Sequence, residues 1–293
     1  MPTVHLNGTD LFYLGVGQGA PCLVMHGGLG LDHTYLHPWL DPLSDTFHLI
    51  YYDHRGNGRS GLPPFETLTL EQFAADANAL SSHLGFEQVV VLGHSVGGFI
   101  ALTLALHYPE RISHLILMDT APAFNYSEEI MANAKRKGAT EAMMAALQAP
   151  TPADDNAFRR MLFTLMPLYF CKFDITSAGR LLANTVVSAF AAASNDVFMP
   201  TYNVASQLGQ IQTPTLILAG RDDFVCPPSQ AEIMRQGIHH SELVVFEHSG
   251  HFPHAEEPDA FFSAVKSWFA RVACLRPKPQ DRTTSRTATL ESK

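Results

Sequence analysis

The stretch that most constrains this chain is Gly93-His94-Ser95-Val96-Gly97, because of what flanks it. It follows the short apolar run Val89–Leu92 and opens a helical run from Val96 to about Tyr108, which Pro109 stops. A strand that turns into a helix within a few residues forces the residue at the apex into a tight backbone, and glycines on either side leave room for it. Such a turn belongs to a sheet covered by helices, so parallel strands and their crossover helices are expected around it.

The rest of the sequence supplies them. Cys22–Met25, Phe47–Tyr52 and Ile112–Met118 are further short apolar runs with little alternation, as suits strands buried on both faces. Ahead of them, Val4–Leu6 and Leu11–Val16 read as an opening hairpin across Asn7-Gly8-Thr9-Asp10. Thr69 and Gln72 form a capping-box pattern, Leu70, Phe73, Ala74, Ala77, Leu80 and Leu84 recur at helical spacing, and Gly85 ends that helix. After Asp119 the rhythm breaks: residues 121–206 show no strand pattern but are rich in Met, Ala, Leu and Phe, a segment too long for a loop. The sheet pattern resumes at Thr215–Ala219 and Leu243–Phe246, and a last helix runs from about Glu256 to Arg271. The expected organisation is an α/β core of residues 1–120 and 207–271 with a mostly parallel, doubly wound sheet. A helical cap of residues 121–206 is inserted in it, and 272–293 form a disordered tail.

Composition narrows the function. The net charge is −9, but residues 272–293 carry five Lys/Arg and two Asp/Glu, which leaves the rest at −12. An acidic body is a poor partner for phosphate backbones, so no nucleic acid is expected. There is no cationic start followed by an apolar run, and no stretch approaches the ~18 apolar residues of a membrane helix. A cytoplasmic protein without a membrane partner is the expectation. Cys22, Cys171, Cys226 and Cys274 are scattered without CxxC spacing and read as reduced thiols. His248, His251 and His254 invite a metal hypothesis, but a three-residue repeat interrupted by Gly250 and Pro253 is no helical face, and no metal is expected.

A serine hydroxyl is almost wholly protonated at neutral pH, so as a nucleophile Ser95 needs a base within hydrogen-bond reach. Of the fifteen histidines, His251 lies on a loop after the last apolar run and before a helix, where ligands bind in such sheets; His248, closer to the strand, is its rival. The carboxylate that orients the base should leave another strand end. Gly220-Arg221-Asp222-Asp223 follows Thr215–Ala219 directly; Asp223 is preferred, with Asp222 and the strand-end Asp119 as alternatives. His26-Gly27-Gly28-Leu29-Gly30 follows the strand ending at Met25 and lets a backbone N–H approach a carbonyl oxygen. The two oxyanion donors are assigned to Gly28 and to Val96, which follows the serine. This glycine cluster lacks the Lys-Ser/Thr of a phosphate-binding loop and the G-x-G-x-x-G spacing of a dinucleotide site.

With these segments in order, the chain resembles the α/β-hydrolase superfamily over residues 1 to about 271, near its proline iminopeptidase branch and the esterase and lactonase neighbours. The matching segments are His26-Gly27-Gly28-Leu29-Gly30, Asp53-His54-Arg55-Gly56-Asn57-Gly58-Arg59-Ser60, Gly93-His94-Ser95-Val96-Gly97-Gly98, Gly220-Arg221-Asp222-Asp223-Phe224, and Gly250-His251 followed by Glu256 and Pro258. The resemblance implies the α/β-hydrolase fold, supports His251 over His248, and makes Asp53, Arg55 and Arg59 a structural turn. Two departures set the chain apart from the peptidase branch, which usually has proline at Leu29 and tryptophan at Val96. That branch also presents cap carboxylates to the substrate amine; Glu128, Glu129, Asp154, Asp155 and Asp174 are available here, but no spacing marks a pair. An epoxide hydrolase or haloalkane dehalogenase would carry aspartate in place of Ser95.

The expectation is therefore a serine hydrolase of the carboxylesterase or lactonase type. Ser95 is its nucleophile, His251 its base and Asp223 the orienting acid, and it needs no cofactor. Its substrate is a small neutral molecule bound against apolar side chains of the insertion, chiefly Phe124, Met143, Met161, Tyr169 and Phe198. An aminopeptidase or amidase is the alternative within the fold, and a ligand-binding receptor on a hydrolase scaffold is the alternative outside it.

Overall fold

In a computed structural model, which describes residues 2–274, eight strands form one sheet in the order β1-β2-β4-β3-β5-β6-β7-β8. β1 (Thr3–Leu6) and β2 (Thr9–Val16) make the opening hairpin, with Asn7 and Gly8 both at positive φ (48° and 78°), as the tight two-residue turn requires. β2 pairs antiparallel with β4 (Phe47–Tyr52). Every later pairing is parallel: β3 (Ala20–Met25) on β4 and on β5 (Val89–His94), then β6 (Ile112–Met118), β7 (Thr215–Gly220) and β8 (Ser241–Phe246).

Why the strands read as unbroken apolar runs is visible in the packing. Leu23, Met25, Val89, Val91, Leu115 and Leu117 face one core, whereas Cys22, Val24, Val90, Leu92, Ile116 and Met118 face another. The first core is closed by α1 (Leu70–His83) and α2 (Val96–His107); the second by the segment around Tyr35, Leu36, Leu40 and Leu43 together with the C-terminal helix. Alternate residues thus go to opposite faces, and each fully buried aliphatic side chain contributes about 1.5–3 kcal/mol.

Between β6 and β7 the chain forms the helices α3 (Ser127–Arg136), α4 (Glu141–Gln148), α5 (Asp155–Tyr169), α6 (Ile175–Leu182), α7 (Ala189–Ala192) and α8 (Asn195–Phe198), with two short 3-10 turns after them and one isolated antiparallel bridge between Ala123 and Asn203 near the ends of this segment. Thr140, Asp154, Asp174 and Ser188 cap four of these helices by accepting a backbone N–H with the side chain. After β7 come α9 (Pro228–Gly237), the single turn α10 (Pro253–Glu256) and α11 (Pro258–Ala273). Residues 272 and 273, expected in the tail, continue α11, which starts at Pro258 rather than at Glu256. The remainder of that tail, 275–293, lies outside the described residues. Among those residues, no helix is long and apolar enough to cross a membrane.

Candidate active site

The carboxyl ends of β3, β5, β6, β7 and β8 lie along one edge of the sheet, and each leads into a loop that carries a polar candidate. Ser95 follows β5 with φ +54° and ψ −122°, a backbone that L-residues rarely adopt. The turn is held by hydrogen bonds from Ser95 N to Met118 O (3.0 Å), Gly98 N to Ser95 O (2.8 Å) and Thr120 Oγ1 to Ser95 O (2.7 Å). Gly97 is required at the start of α2, since a Cβ there would collide with the carbonyl oxygens of Met25 and His26. Ser95 is the one partly exposed residue in an otherwise buried stretch, so the turn displays its hydroxyl.

His251 and Asp223 meet directly. His251 Nδ1 lies 2.7 Å from Asp223 Oδ2, with both side chains buried. The other carboxylate oxygen, Oδ1, accepts the N–H groups of Val225 (3.0 Å) and Cys226 (3.1 Å). Asp222 turns away and accepts the Cys171 thiol at 3.0 Å, and Asp119 binds Gly220 N with Oδ1 at 2.8 Å while Oδ2 has no partner among the described residues. Burial, reinforced by the charge of Asp223, pushes the Asp119 carboxyl well above the usual carboxylate range, which favours its protonated form. His248 is exposed with its backbone N–H on Glu257, and His254 is buried against the Tyr35 carbonyl; the three histidines do not converge.

Ser95 Oγ forms no hydrogen bond with His251 among those of the described residues. Contacts of this kind are often long in the free enzyme and tighten around substrate. The serine nevertheless sits where the glycine loop arrives: a Cβ on Gly27 would strike Ser95 Cβ. Gly28 has φ +45°, and the N–H groups of Gly28 and Val96 take no partner among the described residues.

The helical segment between β6 and β7 reaches the same place. His251 N donates to Tyr169 O at 2.6 Å, and the Tyr169 ring stands edge-on to His251 with centroids 5.3 Å apart. Tyr169, Phe124, Met143 and Met161 pack around a small core of Ile130, Ala134, Leu165, Leu168 and Phe224. Phe198 goes elsewhere: it belongs to the core under α2 and lines a separate cavity of about 360 Å³ with Leu70, Thr103 and Leu106. Phe198 therefore does not share the small core of the other four, while Phe124 packs against both cores.

Sequence reasoning missed the groups that fasten this segment to the histidine loop. Lys137 Nζ donates to Phe170 O (2.8 Å) and Asp222 O (3.0 Å), and Glu256 accepts from Cys171 N and Gly250 N, both at 2.7 Å. A conspicuous Glu256 five residues after His251 was the available signal for the second; Lys137 carried none. The segment Asp53–Ser60 forms a buried ionic turn. Asp53 accepts from His33 and from Arg59 N, Arg59 binds Asp32 at 2.8 Å, and Arg55 clasps Asp76 of α1 at 2.6 and 2.7 Å.

Among the described residues, two side-chain clusters have the composition of metal sites, Asp223–Cys226–His251 and Asp32–His33–Asp53. In the second, both carboxylates are already engaged by His33, Thr34 and Arg59. In the first, burial pushes the Cys226 thiol well above its ordinary range, which disfavours the thiolate a metal takes, and the carboxylate is committed to His251 and two N–H groups.

A family model described as the alpha/beta hydrolase fold matches residues 21–258. A proline iminopeptidase of Pestalotiopsis fici is 28% identical over 277 residues, covering 90% of this chain and 97% of the relative. A 3-oxoadipate enol-lactonase of Acinetobacter baylyi is 28% identical over 280 residues, covering 92% and 99%. Among solved structures, a thermophilic esterase from Thermogutta terrifontis superposes with a TM-score of 0.74 at 27% identity, covering 92% of this chain and 97% of that one. With its sheet order, its strand-to-helix serine turn and a family match over most of its length, the chain belongs to the α/β-hydrolase fold family.

Proposed function

We propose that this protein is a serine hydrolase that cleaves a carboxylic ester or lactone of a small, mostly apolar, neutral substrate. Ser95 attacks the acyl carbon, and His251 Nε2 takes the serine proton and returns it to the leaving oxygen. Asp223 holds the imidazole with Nδ1 protonated, and the N–H groups of Gly28 and Val96 bind the oxyanion. Water then releases the acyl group from Ser95 by the same steps in reverse order of partners. The observation that carries the reading is the buried 2.7 Å His251–Asp223 pair on the sheet edge where Ser95 stands at positive φ. The esterase, lactonase and peptidase relatives support hydrolysis as the reaction class. Residues 121–206 act as the cap over a core of 1–120 and 207–271, with Tyr169, Met143, Met161 and Phe124 giving the pocket its apolar character. Four unpaired cysteines favour a reducing compartment, the cytoplasm, as its place of work.

The similarity to a proline iminopeptidase makes aminopeptidase action the second reading. A substrate ammonium in a partly dry pocket needs carboxylate partners, because an unpaired buried charge costs several kcal/mol. Of the five carboxylates named above in this segment, four are engaged elsewhere and the fifth faces solvent. Asp154 and Asp174 cap helices, Asp155 accepts Ala189 N at 2.7 Å, Glu129 binds Ser229 at 2.7 Å, and Glu128 is exposed. Neutral substrates are therefore favoured. The test keeps one leaving group and changes only the amine: the Nα-acetylated amino-acid ester should exceed the free-amine ester in kcat/KM by about a hundredfold, roughly 2.7 kcal/mol. A strong preference for the free amine restores the peptidase reading.

A further inference from the structure

The residue between Gly93 and Ser95 is His94, only 2% exposed, and the proposed mechanism gives it no part. Its ring nitrogens join two different loops. Nδ1 lies 2.8 Å from the Tyr35 hydroxyl, and Nε2 lies 2.9 Å from the carbonyl oxygen of His251. The Tyr35 oxygen is in turn 2.5 Å from Gly27 N.

Donors and acceptors follow from elimination. A backbone N–H can only donate, so the Tyr35 oxygen accepts from Gly27. A carbonyl can only accept, so His94 Nε2 carries a proton. A neutral imidazole protonated at Nε2 offers Nδ1 as acceptor, and the Tyr35 O–H donates to it. Each group then has one consistent role. An imidazolium at His94 would point N–H at the Tyr35 oxygen and strand the phenol proton without an acceptor. Burial, with the neighbouring His251 and His254, also holds this imidazole well below its usual range. Rings lock the arrangement: His94 packs on Tyr35, His251 and Phe252 at centroid distances of 5.5, 4.6 and 5.7 Å.

The relay crosses the three loops on which acyl transfer depends. Gly27 precedes the Gly28 donor, His94 precedes the nucleophile, and His251 is the base. Resting on that reading of Ser95 and His251, we propose that Tyr35 and His94 are positioning residues. Their chain, Gly27 N–H to Tyr35 O–H to His94 Nδ1 and His94 Nε2–H to His251 C=O, holds the oxyanion loop and the base in register with the serine. Neither side chain is a catalytic residue, since both act through the backbones they hold. A displacement of about 1 Å at reacting groups can cost on the order of a hundredfold in rate, so a hydrogen-bonded tie between the loops has a measurable consequence.

Two measurements test this. In ¹⁵N-histidine-labelled wild-type protein, His94, assigned through its backbone correlations, should show a protonated Nε2 and an unprotonated Nδ1 at neutral pH. The opposite tautomer or an imidazolium overturns the relay, and no variant is needed to see it. In steady-state assays with a 4-nitrophenyl ester, normalised by organophosphonate titration of active sites, Tyr35→Phe and His94→Leu should lower kcat roughly ten- to a hundredfold with KM within about twofold. His94→Gln, whose amide can accept and donate, should recover a good part of the loss. Wild-type kcat per titrated site in Tyr35→Phe and His94→Leu, or no recovery in His94→Gln, refutes positioning and leaves a role in stability alone. If Ser95→Ala retains ester turnover, the acyl-transfer reading is what fails, whereas the His94 tautomer still decides the relay.

Discussion

Replacing Asp223 by asparagine isolates the part of the carboxylate that matters. Oδ1 of Asp223 is committed to two backbone donors, Val225 N and Cys226 N, at 3.0 and 3.1 Å. In Asp223→Asn the amide oxygen must keep that position, because an NH₂ there would face two N–H groups. The amide NH₂ is then forced to point at His251 Nδ1, 2.7 Å away in the parent. Facing a donor, Nδ1 must become the acceptor, so the imidazole proton moves to Nε2, the nitrogen that should receive the proton of Ser95. The fold survives this change while the base is blocked. The expected loss in kcat is on the order of 10⁴-fold, about 5.5 kcal/mol in the barrier, with a melting temperature near that of the parent. Asp222→Asn is the control. Among the described residues its carboxylate accepts only the Cys171 thiol, an acceptor role that an amide oxygen keeps, so kcat should stay within about twofold. Initial rates on a 4-nitrophenyl ester, with circular dichroism melts of each variant, decide the matter. A loss below about tenfold in Asp223→Asn, or an equal loss in Asp222→Asn, refutes the reasoning; loss at neither points to Asp119.

Other perturbations have equally definite outcomes. Ser95→Ala and His251→Ala should each lower kcat by several orders of magnitude, and the double variant by little more than either; additive losses would show that the two do not act as a unit. Relative to the wild type, Asp119→Asn should gain stability between pH 4 and pH 7. The unfolded carboxyl ionises near its ordinary value of 3.8 while the folded one keeps its proton, so the wild type loses stability relative to the variant as pH rises above about 4. Urea titrations at pH 4 and pH 7 that show no such widening gap contradict a protonated Asp119. Gly30→Val should destabilise by about 1–3 kcal/mol, because Gly30 has φ +100° and a Cβ there would lie 2.6 Å from Ala192 Cβ and 2.7 Å from Phe158 Cε1; an unchanged urea midpoint would mean that the helical segment does not rest on this loop.

What could be read from the sequence was decided by how local the physics is. The parallel strands were legible because burial on both faces writes an apolar run that needs no tertiary knowledge, and α1 because Thr69 caps it and its apolar stripe repeats at helical spacing. α9 was not read: only Ala231 and Met234 supply its buried apolar face, and a buried Gln230 interrupts the pattern. At the site, Ser95 was legible because the glycines and the flanking strand and helix are contiguous with it. The choice between Asp222 and Asp223 was not, since it depends on a turn in which Asp222 N donates to Ser249 O and Asp223 N to Gly220 O, and Ser249 belongs to another loop. Tyr169 and Phe198 looked alike as aromatic residues of the insertion, yet one stands against His251 and the other under α2. Helix packing at long range separates them, and no spacing encodes it.

The histidine is the point at which the two parts of the chain meet. Its Nδ1 is held by the core through Asp223, its carbonyl by the core through His94, and its N–H by the helical segment through the carbonyl of Tyr169. Tyr169 also turns its ring toward the imidazole, so one residue both borders the site and carries the backbone that fixes the base. Lys137 and Glu256 tie the two residues that follow it, Phe170 and Cys171, to the loops of Asp222 and Gly250. A lid that swung away at this edge would have to break the Lys137–Asp222 and Cys171–Glu256 hydrogen bonds, which cross from segment to core, together with the one at His251. Exchange of substrate at such a site is therefore expected through movement elsewhere in the segment, while the end of α5 stays in place. It follows that changes in the segment made to alter substrate choice divide into two kinds. Under the proposed mechanism, those among Met143, Met161 and Phe124 should act on the fit of the acyl group, whereas those at residues 169–171 should also shift the proposed base and so act on kcat for every substrate.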